Sequence, residues 1–192
     1  MSKVIAHKQS LFSSLMNRFA IANTQQRILF TLLSMGIGVV LLAATAQLKF
    51  VLPFTPVPVT GQTFGVLLIA MLMGSQAGSL TVGAYLIAGA AGAPFFANVS
   101  GPHTTGYLFG MLVAARVVGY LADIGWAKSF SKAFAIGTLG TAIIFAFGLA
   151  ILGKFTGYSN VLALGLYPFL IGAVIKIALA SGVVSMLNRN QD

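Results

Sequence analysis

Long runs of hydrophobic residues separated by short polar connections dominate the pattern along this chain. Most runs contain about twenty residues, the length that an α-helix needs to cross a hydrocarbon core of about 30 Å. The pattern therefore predicts an all-α, polytopic membrane protein built as a bundle of six transmembrane helices. The predicted spans are residues 28–48, 63–73, 77–96, 105–121, 133–152 and 161–187.

The second run departs from this rule, because residues 63–73 are too few to cross the hydrocarbon core as a lone helix. Before it lies the apolar stretch 49–59, which contains Pro53, Pro56 and Pro58. Prolines at this density cannot continue a helix. Non-helical backbone at membrane depth is tolerated only where protein or a cavity shelters it. We therefore expect this loop to dip inward and to line a site.

The segment before the first span has its own helical pattern. Its hydrophobic residues at positions 11, 12, 15, 16 and 19 recur at helical spacing, which suits a short helix on the membrane surface. A loosely ordered leader fits equally well. The first long run is read as a retained helix and not as a cleaved signal peptide. The predicted organisation is a cytoplasmic leader (1–27), a six-helix membrane domain (28–188) and a cytoplasmic tail (189–192).

Composition and charge agree with this class. Hydrophobic residues make up 58% of the chain and charged residues 7%, whereas soluble domains carry about 25% charged residues. The formal net charge is +9, but no basic stripe with interleaved aromatic residues lies outside the spans, so nucleic acid is not the expected partner. Most basic residues fall in the segments that six spans place with the N-terminus, which predicts that both termini are cytoplasmic. The inner set is Lys3, Lys8, Arg18, Arg27, Lys128, Lys132 and Arg189, and the outer set is Lys49 and Lys154.

Two basic residues fall inside predicted spans, where an ionisable group is costly. Lys176 lies about 13 Å by helix rise from Tyr167 at the outer end, too deep for its stem to reach water easily. We expect it to face the bundle interior as a donor or counter-charge for a ligand, with a lysine capped by backbone carbonyls as the alternative. Arg116 precedes Asp123 by two turns, and snorkelling towards water or Asp123 would satisfy it.

Catalytic chemistry has few groups to use. The chain contains no cysteine, and the phosphate-binding pattern G-x-x-x-x-G-K-[ST] is absent from its sequence. His103 has no second histidine or carboxylate near it in sequence, so it is read as a loop residue and no metal is expected. The sequence predicts neither an enzyme nor a cofactor, and ATP-driven work would require another polypeptide.

Polar residues nevertheless gather where the predicted outer helix ends meet, with aromatic and aliphatic residues beside them. Such an apolar pocket with a few convergent polar groups is typical of a small-molecule site. The expected ligand is small and partly apolar, with a hydrogen-bonding head and a carboxylate. The candidate binding residues are Phe54, Thr55, Val57, Thr60, Gln62, Phe95, Asn98, Tyr107 and Lys176.

Three segments of the chain resemble a known family. The stretch Pro-Phe-Thr-Pro-Val-Pro-Val-Thr-Gly-Gln-Thr-Phe-Gly-Val-Leu-Leu (53–68) is similar to the signature of the BioY family, the biotin-specific S components of energy-coupling-factor transporters. Residues 92–97 and 104–110 resemble later family segments in the same order. The resemblance implies a biotin site near the external face and a bacterial inner-membrane location. It also implies a transmembrane coupling subunit and two ATPase subunits as partners, although some members are thought to work without a dedicated set.

The sixth span departs from the family pattern. The family typically has Pro-Gly-Asp-x-x-Lys here, whereas residues 171–176 read Ile-Gly-Ala-Val-Ile-Lys, so Ala173 replaces the carboxylate. Residues three apart on a helix share a face, so the expected Asp–Lys pair is broken. The loop before the fourth span also appears in a shortened form (98–103). A related vitamin or a biotin precursor is therefore an alternative ligand. A membrane enzyme or a purely structural bundle is disfavoured by the missing catalytic groups and by the proline-rich apolar loop.

Overall fold

The computed structural model describes residues 10–18, 23–93 and 101–189. Within these ranges, five helical segments are long and apolar enough to cross a membrane, which makes the chain a multi-pass membrane protein. The corresponding helices are α2 (Thr24–Gln47), α3 (Gln62–Ala90), α4 (Thr105–Asp123), α5 (Phe130–Thr156) and α7 (Leu170–Arg189).

Shorter elements connect or precede these helices. The eight-residue helix α1 (Leu11–Arg18) lies in the predicted leader, and the ring of Phe12 stacks on that of Phe30 in α2 with centroids 5.5 Å apart. Its location on the membrane surface stays a prediction. A 3₁₀ turn at Tyr167–Phe169 interrupts the sixth predicted span and joins α6 to α7. The remaining short elements are β1 (Lys49–Phe50), β2 (Val59–Thr60) and α6 (Val161–Gly165), with 3₁₀ turns at Pro102–Thr104, Trp126–Lys128 and Tyr167–Phe169.

Helix α3 folds back on itself at Gly74, whose backbone is non-helical with φ 78° and ψ −174°. The Gln62 Nε2 atom donates a hydrogen bond to the Tyr85 hydroxyl at 2.9 Å. A straight helix would separate these residues by about 35 Å. A tight turn therefore lies at Gly74, and α3 consists of a first arm, 62–73, and a second arm, 75–90. The first arm is only about 18 Å long.

Glycine and one carboxylate make this turn possible. A Cβ at Gly74 would meet the Asp123 carboxylate, and a Cβ at Gly119 would lie 2.6 Å from the Ser75 backbone nitrogen. The Asp123 Oδ2 atom accepts hydrogen bonds from the Ser75 N–H at 2.9 Å and from the Ser75 hydroxyl at 2.6 Å. A carboxylate at this position satisfies an orphan amide at the start of the second arm and complements the helix dipole.

The contacts of Asp123 also bear on Arg116, which was expected to reach towards water or Asp123. Asp123 is buried and engaged with Ser75, and no ion pair joins it to Arg116 among the described residues. Asp123 is therefore not the partner of Arg116 in this structure. Arg116 lies exposed on the surface of α4 instead.

Small residues let α4 and α5 approach closely along a seam formed by Gly106, Gly110 and Ala114 of α4. A Cβ at Gly110 would lie 2.8 Å from the Ile144 Cα atom, and one at Gly106 would meet the Phe147 carbonyl. Ala114 is fully buried. Without a hydrophobic driving force between helices in lipid, such close backbone packing supplies much of the association energy. The seam therefore holds the bundle together.

Replacing Asp123 with Ala removes the only side chain shown to accept from Ser75. Because the lost bonds are charge-assisted and buried, we expect the free energy of unfolding to fall by about 1.5–3 kcal/mol. Equilibrium unfolding in mixed SDS and mild-detergent micelles, followed by circular dichroism, measures this change. Thr138→Ala is the control, because the Thr138 hydroxyl makes one exposed, local bond to the Phe134 carbonyl. Equal stability of the two variants would contradict the capping role.

Candidate functional site

The proline-rich loop begins and ends in a short β-hairpin. Lys49 pairs with Thr60 and Phe50 with Val59, and the Gly61 N–H donates to the Leu48 carbonyl at 2.8 Å. A Cβ at Gly61 would collide with the Thr45 carbonyl, so only glycine allows the chain to pass so close to α2. The hairpin fixes both ends of the loop formed by residues 51–58.

Three hydrogen bonds to other elements anchor this loop and the hairpin strand that follows it. The Thr55 hydroxyl donates to the Leu164 carbonyl of α6 at 2.6 Å. The His103 Nε2 atom lies 2.9 Å from the Pro56 carbonyl, so His103 is more than a loop residue. The Lys176 ammonium of α7 donates to the Thr60 carbonyl at 2.6 Å. The expectation of a sheltered, inward-dipping loop agrees with these anchors.

A small cavity lies beneath the loop, between the first turns of α3, α4 and α7 and the middle of α5. The volume open to the centre of a water-sized sphere is about 70 Å³, which exceeds the minimum for one water several-fold. Its described lining side chains include no carboxylate, imidazole or thiol. The lining consists of Val57, Pro58, Thr60, Gln62, Thr63, Thr104, Tyr107, Leu108, Met111, Thr141, Ile144, Phe145, Phe169, Ala173 and Lys176.

One wall of the cavity is polar and internally hydrogen-bonded. The Thr60 hydroxyl donates to Gln62 Oε1 at 3.1 Å, and Gln62 Nε2 donates to the Tyr85 hydroxyl at 2.9 Å. An ammonium carries three donors, and one of those of Lys176 goes to the Thr60 carbonyl. Lys176 is thus capped by a backbone carbonyl, as the alternative interpretation of this residue expects, and its ammonium group also borders the cavity.

The opposite wall is aromatic. The rings of Tyr107 and Phe145 meet edge to face with centroids 6.4 Å apart, and those of Phe145 and Phe169 are 6.5 Å apart. The Tyr107 hydroxyl donates to the Gly165 carbonyl at 2.9 Å. Tyr107 therefore presents mainly its ring to the cavity, and its hydroxyl supports the turn between α6 and α7.

Thr141 differs from the other threonines in the helices. The hydroxyls of Thr31, Thr81, Thr138 and Thr156 each donate to the carbonyl four residues earlier, as threonines within helices commonly do. Thr141 is 5% exposed and its hydroxyl has no partner among the described residues. A buried hydroxyl without a partner is costly, so this one is available to a ligand in the cavity.

The candidate binding residues divide into three groups. Val57, Thr60, Gln62, Tyr107 and Lys176 line the cavity. Two others do not: Thr55 is buried and anchors the loop, while Phe54 is 60% exposed at the loop surface. Phe95 and Asn98 lie outside the described residues.

Residues of the fifth predicted span were missed. Thr141, Ile144 and Phe145 line the cavity from α5, and Phe169 does so from the turn before α7. A signal was present, because Thr141 has glycines four residues before it and seven after it, which marks one face of a largely apolar helix. Nothing in that pattern distinguishes a cavity from tight helix packing.

Membrane-crossing helices around a small cavity with one polar and one aromatic wall define a multi-pass membrane protein equipped to bind a small molecule. The chain belongs to the BioY family, whose model matches residues 16–192. The resemblance of the proline-rich segment to this family is thereby confirmed. No curated protein sequence matches the chain.

A solved structure shares the fold. The chain is similar to the crystal structure of the S-component for biotin from an ECF-type ABC transporter, with a TM-score of 0.75 and 21% sequence identity. The match covers 88% of this chain and 95% of that chain. The overall arrangement of the helices is therefore one already seen in a solved structure.

Replacing Thr55 with the isosteric Val keeps the volume of the side chain but removes two bonds, the one to the Leu164 carbonyl and the one that the Thr55 hydroxyl accepts from the Val57 N–H. Since one hydrogen bond contributes about 1 kcal/mol net, we expect the amides between residues 51 and 58 to exchange with deuterium at least about fivefold faster. Hydrogen–deuterium exchange with mass spectrometry measures this rate. The control is Thr105→Val, because the Thr105 hydroxyl makes an exposed local bond to the Pro102 carbonyl. Unchanged exchange in Thr55→Val would show that the bond does not hold the loop.

Proposed function

We propose that this chain is the substrate-capturing membrane subunit of a biotin transporter and binds biotin in the cavity beneath the proline-rich loop. Membership of the BioY family and the fold shared with the S-component for biotin support this function. The observation that carries it is the Lys176 ammonium, which borders a cavity with one polar wall and one aromatic wall. Ionisable groups within membrane helices mark substrate sites by default.

The chemistry of the two walls matches the two parts of biotin. Biotin has a bicyclic head with a urea group, which offers two N–H donors and one carbonyl, and an apolar chain that ends in a carboxylate. Gln62, Thr60 and the unpartnered Thr141 hydroxyl would bond the urea, and Lys176 would turn from the Thr60 carbonyl to an oxygen of the ligand. The aromatic wall around Tyr107 would cover the ring and chain.

The remaining candidate residues belong to the entrance. Val57 would close over the ligand, and Thr55 would hold the loop in place. Phe54 would contact the ligand only when the loop moves, because it now lies at the surface. Phe95 and Asn98 stay candidates on the basis of the resemblance alone. Since the cavity volume is about 70 Å³, admission of biotin would require the loop to shift outward.

The direction of the chain supports a site on the outer side of a bacterial inner membrane. Because α3 folds back at Gly74, it enters and leaves on the side where α2 ends and α4 begins. Counting the two arms of α3 as separate helices would give the proposed six-helix bundle, with both termini on one side. The described basic residues of that side, Arg27, Lys128, Lys132 and Arg189, outnumber those of the other side, Lys49 and Lys154, so the positive-inside rule makes the termini cytoplasmic.

Transport by this chain would depend on partners. The sequence holds no phosphate-binding loop, so energy from ATP would come from two ATPase subunits through a transmembrane coupling subunit. The alternative is a solitary biotin transporter without dedicated partners. Uptake of radiolabelled biotin by cells that express the chain, with and without those subunits, distinguishes the two arrangements.

Lys176→Met keeps the length of the side chain and removes its charge. Loss of a charge-assisted hydrogen bond costs about 1.5–3 kcal/mol, so we expect the dissociation constant for biotin to rise at least about tenfold. Isothermal titration calorimetry on purified protein, with folding checked by circular dichroism, measures this constant.

The matched control is Lys154→Met, because Lys154 is exposed near the end of α5 and lies outside the cavity lining. It should bind biotin like the unmodified protein. Equal affinities of the two variants would remove Lys176 from the site, and folded protein that binds no biotin at all would refute the proposed function.

Thr141→Val separates binding from stability. Because the Thr141 hydroxyl has no partner among the described residues, its removal should leave the unfolding midpoint without biotin unchanged or slightly higher. We expect biotin affinity to fall about fivefold, since one neutral hydrogen bond contributes about 1 kcal/mol. A fall in the midpoint without any change in affinity would show that the hydroxyl serves the bundle and not the ligand.

A second candidate ligand follows from Ala173. This residue lines the cavity where the resemblance implies a carboxylate, so one strong acceptor for the urea N–H groups is missing. A related vitamin or a biotin precursor that needs fewer acceptors would then bind as well as biotin. Competition of other vitamins, and of a biotin precursor that lacks the urea group, against labelled biotin decides between these ligands.

A further inference from the structure

A second concave surface lies outside the cavity, on the lipid-facing side of the bundle between α2, α3 and α4. Its volume of about 710 Å³ far exceeds that of the cavity, about 70 Å³. We call it the lateral groove. Its residues are almost all apolar, apart from one serine and one arginine, and they are Met35, Ser79, Leu80, Gly83, Ala84, Ile87, Leu112, Val113, Arg116 and Val117.

Small residues open this groove. Gly83 and Ala84 form its floor on the second arm of α3, where a Cβ at Gly83 would approach only Leu112, at 3.7 Å. Leu80 and Ile87 flank them and are 54% and 71% exposed. The groove follows the second arm from Ser79 to Ile87, a length of about 12 Å by helix rise. A narrow apolar channel of this length suits an extended acyl chain.

Arg116, a cation that borders the groove, indicates the charge of the molecule that would bind there. Arg116 is exposed, and the structure shows no hydrogen bond or ion pair for its guanidinium among the described residues. The only acid in the described ranges, Asp123, is buried against Ser75. An arginine within a membrane-crossing helix requires an anionic or water partner, and a guanidinium matches phosphate through two parallel N–H donors.

We propose that the lateral groove binds one anionic glycerophospholipid, with its phosphate on Arg116 and an acyl chain along Gly83 and Ala84. The depth fits this occupant: Arg116 lies about 10 Å by helix rise from Asp123, within reach of the headgroup layer for a snorkelling arginine. Basic pockets between helices on the cytoplasmic side are typical sites for anionic lipid headgroups. The assignment to the cytoplasmic leaflet rests on the orientation proposed above, whereas the binding itself does not.

Native mass spectrometry tests this site on the full chain in detergent. The protein is titrated with phosphatidylglycerol or phosphatidylcholine of identical acyl chains, and bound lipid is counted per protein. We expect one phosphatidylglycerol to be retained preferentially and Arg116→Gln to weaken its binding at least about tenfold, because a charge-assisted contact is lost. Lys132→Gln, which removes another exposed cation outside the groove, should bind like the unmodified protein.

A second variant tests the acyl channel. Ala84→Leu fills the floor of the groove without touching the charge and should also weaken phosphatidylglycerol binding, while inorganic phosphate should not displace the lipid. Equal retention of the two lipids, unchanged binding in Arg116→Gln, or displacement by inorganic phosphate alone would each overturn the proposal. Biotin affinity of the same variants, by calorimetry, should be unchanged, so failure here is distinguishable from failure of the proposed function.

Discussion

The bond from the Lys176 ammonium to the Thr60 carbonyl joins two requirements that lipid imposes on this chain. A non-helical loop inside a bilayer must have its carbonyls satisfied by protein, and a buried ammonium must find an acceptor. Each group meets the requirement of the other, at 2.6 Å. Because Thr60 lies in the strand that ends the loop, the bond also ties this end of the loop to α7 at the border of the cavity. The site and the stability of the loop therefore depend on the same pair.

The elements that sequence patterns predicted well are those set by strong physical constraints. The hydrophobic runs predict the long helices because lipid fixes the length of a crossing segment. Three prolines in an apolar stretch predict a sheltered loop, since they exclude a helix and the membrane excludes exposed backbone. Lys176 is predictable for the same reason, as a cation too deep to reach water. Each of these expectations used one residue type and one general rule.

Features that depend on tertiary contacts could not be predicted from the sequence. The partner of Asp123 is Ser75, forty-eight residues earlier in the chain, and no local pattern indicates this pair. The exposed position of Phe54 could not be predicted either, because buried and exposed side chains alternate in a loop without a fixed period. Thr141 was hidden for another reason: a threonine in a helix usually bonds its own backbone, and only the three-dimensional rotamer shows that this one does not. Residues 94–100, where two candidate residues lie, remain a matter of resemblance.

The hairpin that holds the proline-rich loop also limits what can pass. Its strands stay paired up to Phe50 and Val59, so only the eight intervening residues are able to swing outward. Half of such a loop, fully extended, reaches about 14 Å. Any opening formed by the loop would thus be at most about 14 Å wide, which is enough for a vitamin-sized molecule. The length of the loop therefore limits the size of any molecule that could pass beneath it.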